Sequence, residues 1–342
     1  MKIGFNHFLV LTLLLVLLAS AAVACGQKPD PAGDGAPSEW PSRRDGRIVV
    51  VVSIVPQKYF VERVGGEHVD VSVMVEPGAS PATYEPKPEQ LKALSGAAAY
   101  FSIGVPFEDA WLAKIAEANV DMMMVDTIAD VERVPMGARH QAGEAGVPSE
   151  WPSRGEGVPS EWPSRREGEE DEEDHEHAAG VPDPHVWLSP ELVKVQSRAM
   201  YETLAQLDPA HQDEYAANLD AFIAEIDALE ADVRASLSGL ESNKFMVFHP
   251  AWGYFARDFG LEQIPVEVGG QEPSAQELAY LIEVAKQEGI QVIFAQPEFS
   301  TQDAETIAQE IDGEVLLISP LAPDWLENMR QVAQTFADVL NR

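Results

Sequence analysis

The sequence predicts an α/β protein of two lobes, each with a central parallel β-sheet flanked by helices, joined by one long rigid backbone helix. Three observations carry that expectation. Short apolar, β-branched runs alternate with helical patterns in two separate sets, the pattern of βα units building a parallel sheet. One amphipathic stretch, much longer than the other helical segments, lies between the sets. A chain of 342 residues with 45% hydrophobic content suits two cored domains better than one.

Taken in order, residues 1–24 combine Lys2, an apolar run from Phe8 to Leu18 and the small residues from Ala19 to Ala24, which is the pattern of a secretion signal. The run falls short of the ~20 apolar residues that a spanning helix needs. Cys25, the single cysteine, follows at once and resembles the acylated cysteine of a bacterial lipoprotein signal. An exported chain anchored to membrane lipid through Cys25, in the periplasm or on the cell surface, is therefore expected, and an intramolecular disulfide is excluded. Residues 25–46 read as a disordered tether and residues 135–180 as a disordered, acidic, histidine-containing insert. A heptapeptide recurs across them at Pro37–Arg43, Pro148–Arg154 and Pro159–Arg165. Solenoid units are longer and adjacent, so these copies read as insertions tolerated in loops.

The N-terminal lobe, 47–208, is expected to begin with a buried strand over Ile48–Ile54 and to continue with strands at Val69–Val75, Tyr100–Ile103 and Met122–Val125. Helices are expected between them near Lys58–Val64, Glu89–Leu94 and Phe107–Ala118. In the linking helix, 209–240, Tyr215, Leu219, Phe222, Ile226, Leu229, Val233 and Leu237 recur every three or four residues and form one apolar stripe. Roughly 30 residues of helix would span ~45 Å. The C-terminal lobe, 241–342, offers strands at Phe245–Phe248, Ile264–Val268, Val292–Ala295 and Val315–Ile318. It also offers a helix capped by Ser274 with Glu277, and a last helix over Trp325–Leu340.

The charge of −34, from 57 acidic and 23 basic residues, argues against nucleic-acid binding. Among eight histidines, two stand at element edges in different parts of the chain. His185, in Asp183-Pro184-His185-Val186-Trp187, precedes a helix beginning near Pro190; His249, in Phe248-His249-Pro250, ends an apolar strand. Glu298 follows another buried strand, and Gln57 follows the first. Imidazole and carboxylate suit Zn²⁺ and, less selectively, Mn²⁺ or Fe²⁺. His185, His249 and Glu298 are thus the candidate metal ligands, with Gln57 a candidate fourth ligand or cleft lining. His175 and His177, in the acidic run Glu169–His177, are candidates for a low-affinity metal-collecting loop.

At this point the chain from Arg47 to Arg342 resembles the zinc and manganese solute-binding proteins of ABC importers, the ZnuA/TroA-like group. The matching segments are Ser53–Gln57, Gly78–Pro86, Asp183–Trp187, His249–Phe255, Glu272–Ser274 and Pro320–Trp325. The resemblance implies two lobes bridged by a long helix, a metal ion as transported cargo, and a histidine-rich loop at Glu167–His177. It also implies a membrane permease with its cytoplasmic ATPase as partners, a monomer, and no enzymatic activity. Two positions depart from the group: Ala82 stands where a first histidine is usual, and Ser319 where an aspartate is usual. Glu298 is the candidate replacement carboxylate. A zinc hydrolase, a binder of a siderophore or other organic cofactor, and an adhesin or metal buffer remain alternatives on the sequence. No His-Glu-x-x-His helix supports the first.

Overall fold

The first buried strand is preceded by a turn that the sequence reading passed over. The structure, a computed structural model, describes residues 43–136, 182–267 and 272–342. Strand β1 (Arg43–Arg44) folds back antiparallel onto β2 (Arg47–Val52), with Arg43 opposite Ile48 and Arg44 opposite Arg47. Asp45 and Gly46, at φ 52° and 83°, form the left-handed two-residue turn that Asp-Gly favours. The tether expected over 25–46 is therefore corrected at its end, because Arg43–Gly46 is built onto the first sheet.

From β2 the chain alternates as expected, with boundaries shifted by a few residues. Helix α1 (Val55–Gly65) leads to β3 (Val69–Val73), α2 (Pro88–Leu94), β4 (Ala99–Ser102), α3 (Pro106–Ala118) and β5 (Met123–Asp126). β2 pairs in parallel with β3 and β4, and β4 with β5, giving the order β3-β2-β4-β5. The five residues Ile48–Val52 are all buried, which is why that run lacks alternation.

Two helices then run before the second sheet. α4 (Pro190–Leu207) is capped by the Ser189 hydroxyl, which accepts from the Leu192 N–H. The long helix α5 spans Gln212–Ser236, 25 residues or about 38 Å. It is shorter than the expected 209–240 because Pro209–His211 turns as a 3₁₀ segment and Leu237 caps the end. Every residue of its predicted stripe is buried. α5 packs against α1, against α4 and against the last helix, α9 (Trp325–Leu340).

The second sheet repeats the topology of the first. β6 (Lys244–Val247), α6 (Gly253–Phe259), β7 (Glu262–Pro265), α7 (Ala275–Gln287), β8 (Val292–Ala295), α8 (Gln302–Glu310) and β9 (Glu314–Leu317) give the parallel order β7-β6-β8-β9. Ser274 and Glu277 form the expected capping box on α7, the Glu277 carboxylate accepting from the Ser274 N–H at 2.7 Å. In both sheets the first strand has its successor on one side and the third strand on the other. The crevice between the first and third strands, β2/β4 and β6/β8, is where an open α/β sheet receives ligands.

Trp325 joins the two sets of elements. Its ring meets Phe60 of α1 edge-on, 5.3 Å between centroids, and its indole N–H donates to the Trp187 carbonyl at 2.7 Å. The Trp187 indole returns a bond of 2.7 Å to the Pro320 carbonyl.

Candidate metal centre

The two crevices are filled differently. In the first, the protein satisfies itself. The Gln57 side-chain oxygen accepts from the Ser53 and Ile54 N–H groups, 3.0 and 3.3 Å. Its amide nitrogen donates to the Phe101 and Ser102 carbonyls, 3.2 and 3.5 Å. Gln57 is fully buried, with both ends of its amide spent on tying β2 to β4. The expectation that it supplies a metal ligand is corrected: no lone pair is left for a metal. Beside it, Glu108 accepts from the Ser53 hydroxyl and from the Ile103 and Gly104 N–H groups at 3.1 and 2.8 Å. Burial pushes its carboxyl up to about 6 despite those bonds.

In the second crevice the strand ends present unspent groups. His249 follows β6 and Glu298 follows β8, and these strands are direct neighbours, Val247 opposite Phe294. His185 arrives from the turn before α4. The Nε2 atoms of His185 and His249 lie 3.3 Å apart. Behind them, His185 Nδ1 meets Asp183 Oδ1 at 2.7 Å, and His249 Nδ1 meets Glu267 Oε2 at 3.1 Å. A carboxylate at each Nδ1 favours a hydrogen bond from that nitrogen, an arrangement that directs each Nε2 toward the other ring. Burial pushes the His185 imidazole below its ordinary range, which favours the unprotonated, metal-ready form, while the Asp183 charge acts the other way. A carboxylate behind an imidazole fixes its orientation and raises its basicity, as metal-ligating histidines require.

Glu298 lies within electrostatic reach of His249. Its Oε2 is buried and has no hydrogen-bond partner, and burial pushes its carboxyl above the usual range. Next to it, the Phe299 ring stacks on His249, 4.7 Å between centroids and 21° from parallel. Among the described residues no three His, Cys, Asp or Glu side chains are already gathered into a metal-holding group. The two imidazoles are brought together, and Glu298 interacts electrostatically with one of them.

Asp183 and Glu267 carried no assigned role in the sequence reading. Asp183 was visible two residues before His185 in the Asp-Pro-His segment, but Glu267 was not. It reaches His249 only because β6 and β7 run parallel, with the Glu267 N–H on the Phe248 carbonyl at 2.9 Å. Ala82 and Ser319 lie in turns: the Ser80 hydroxyl accepts from the Ala82 N–H, and the Ser319 hydroxyl from the Leu321 N–H. His175, His177 and Cys25 lie outside the described residues.

Fold and crevice together define the class: a two-lobed solute-binding protein whose halves are braced by a long helix. The chain belongs to the family described as zinc-uptake complex component A, periplasmic, whose model matches residues 50–339. A crystal structure of ZnuA is similar over 86% of this chain and 99% of its own, at 43% identity and a TM-score of 0.73. A ZnuA deletion mutant solved with zinc bound matches the same shares at 42% identity and a TM-score of 0.72. The zinc-binding protein AdcA of Streptococcus pyogenes serotype M3 is 27% identical over 282 residues, 81% of this chain and 51% of AdcA. The chain thus spans about half the length of the AdcA relatives it matches.

Proposed function

We propose that this protein captures Zn²⁺ outside the cytoplasm, in the cleft between its two lobes where His185 and His249 meet, and delivers it to the membrane permease of an ABC importer driven by a cytoplasmic ATPase. The observation that carries the reading is the 3.3 Å separation of the two Nε2 atoms. Two Zn–N bonds of ~2.05 Å at a tetrahedral angle put their nitrogens about 3.3 Å apart. Glu298 supplies the third donor by turning its unpartnered Oε2 toward the imidazole pair, and neutralisation by the cation offsets the cost of its burial. Water completes the tetrahedron. Zinc in a ZnuA relative 42% identical to this chain supports the choice of ion. The anchor at Cys25 would keep the receptor beside its permease.

Competitive titration of the chain from Gly26 onward with Zn²⁺ and Mn²⁺ tests this. One zinc per chain, bound well below micromolar and ahead of manganese, is expected. Loss of tight binding is expected for His185→Ala and His249→Ala, with strong weakening for Glu298→Ala. Tight binding that survives both histidine substitutions sinks the assignment.

A further inference from the structure

His249 and its supporting Glu267 each lie two residues past the end of adjacent parallel strands, where the Glu267 N–H still bonds the Phe248 carbonyl at 2.9 Å, so the end of the sheet frames that ring. His185 has no such frame. It and Asp183 lie in an irregular segment after residues 137–181, outside both sheets. An aspartate can orient an imidazole only if its own backbone is held. The contacts around Asp183 identify what holds it.

We propose that Tyr254 is a positioning residue for metal capture, its hydroxyl locking the Asp183 backbone, and through it the His185 ring, to the helix that follows His249. The inference rests on the reading of His185 and His249 as ligands. Tyr254 lies in the first turn of α6, fully buried, with the Arg257 guanidinium 5.0 Å from its ring centroid. Its hydroxyl donates to the Asp183 carbonyl at 3.1 Å and accepts from the Val134 N–H at 3.2 Å. The Asp183 N–H donates in turn to the Val134 carbonyl at 2.7 Å, and Pro135 pairs with Pro182 in an isolated antiparallel bridge. One hydroxyl thus closes a three-membered ring of bonds between α6 and the two segments at 134 and 183. From that ring the Asp183 carboxylate reaches forward, Oδ1 accepting from the His185 backbone N–H at 2.9 Å as well as from its Nδ1. Burial raises the tyrosine hydroxyl above its ordinary range, so it stays a neutral donor across the physiological pH range. Tyr254 touches no metal. Its effect is to hold one lone pair of the imidazole pair in line with the other.

Tyr254→Phe keeps the ring and deletes the hydroxyl. The matched control is Tyr215→Phe, which removes an equally buried hydroxyl bonded to Asp208 at 3.2 Å, on α5 and away from the site. Both variants and His185→Ala are made in the whole chain. Zinc affinity is read by chelator competition, ligand geometry by the visible d–d bands of bound Co²⁺, and folding by thermal melts of the metal-free forms. Tyr254→Phe is expected to weaken zinc about tenfold, the lower end for loss of an outer support, and to alter the Co²⁺ bands. Tyr215→Phe is expected to lower the melting temperature while leaving affinity and spectrum unchanged. A wild-type affinity and spectrum for Tyr254→Phe overturn the inference, as does an equal loss in Tyr215→Phe. If His185→Ala binds zinc like the wild type, it is the site assignment that fails; if only Tyr254→Phe behaves as wild type, the tyrosine role alone falls.

Discussion

His185 and His249 meet Nε2 to Nε2 at 3.3 Å, each ring held from behind by its own carboxylate, Asp183 at 2.7 Å and Glu267 at 3.1 Å. The pair comes together from segments 64 residues apart, and its spacing already fits tetrahedral zinc. The supports should therefore matter almost as much as the ligands.

Asp183→Asn and Glu267→Gln keep an acceptor oxygen behind each ring but remove the charge that raises its basicity. Each is expected to weaken zinc binding by about 10- to 100-fold, with both rings still present. Competition titration against a chelator measures this. Affinities within twofold of wild type would mean that the carboxylates do no more than fill space.

Much of this was legible in the sequence, for identifiable reasons. Ile48–Val52 reads as a buried strand because no residue in it is polar, and the α5 stripe reads as a helix because Tyr215 through Val233 keep a regular spacing. His185 and His249 are visible because each lies at the edge of a patterned segment, His185 before a helix and His249 after a strand. What the sequence withheld depends on register. Glu267 becomes a partner of His249 only through the parallel pairing of β6 with β7, and Gln57 looks like a cleft residue until the carbonyls of β4 are seen to occupy its amide. The Asp45-Gly46 turn was readable, and was hidden by the proline- and glycine-rich stretch before it.

Gln57 offers a test of that correction. Because its amide makes four bonds to buried backbone groups, Gln57→Ala is expected to destabilise the metal-free protein by about 3 kcal/mol or more in urea unfolding. Zinc affinity, measured on the folded fraction, should change little. A large loss of affinity without loss of stability would restore Gln57 as a ligand.

Glu108 predicts a pH dependence in the other lobe. Its carboxyl stands at about 6 in the folded chain against an ordinary 4.5, with burial as the main cause. Between those values the folded chain holds a proton that the unfolded chain has lost. The group's contribution to stability is therefore fully present below 4.5 and is lost as pH rises through about 6. The full span corresponds to on the order of 2 kcal/mol. Glu108→Gln is expected to flatten the fall in urea stability across this window, and an unchanged slope would assign the titration to other groups.

The reciprocal indole bonds predict how far the lobes move. Trp187 donates to the Pro320 carbonyl and Trp325 to the Trp187 carbonyl, both at 2.7 Å, while the Trp325 ring packs edge-on against Phe60 of α1. Both donors are buried, so opening the lobes would leave each without a partner, at a cost of about 1–3 kcal/mol apiece. The α5 helix adds a second restraint, since it packs on α1 and on α9 at once. Capture should then proceed by local movement of the Glu298 loop rather than by closure of one lobe on the other. Small-angle scattering of the metal-free and zinc-loaded chain should give superimposable curves, whereas hydrogen exchange should slow around residues 296–300. Trp325→Phe removes one indole bond and keeps an aromatic ring; it is expected to lower the melting temperature and to speed zinc release. A clear contraction on zinc binding would show that these indole bonds open, and would move the source of tight binding from the Glu298 loop to closure of the lobes.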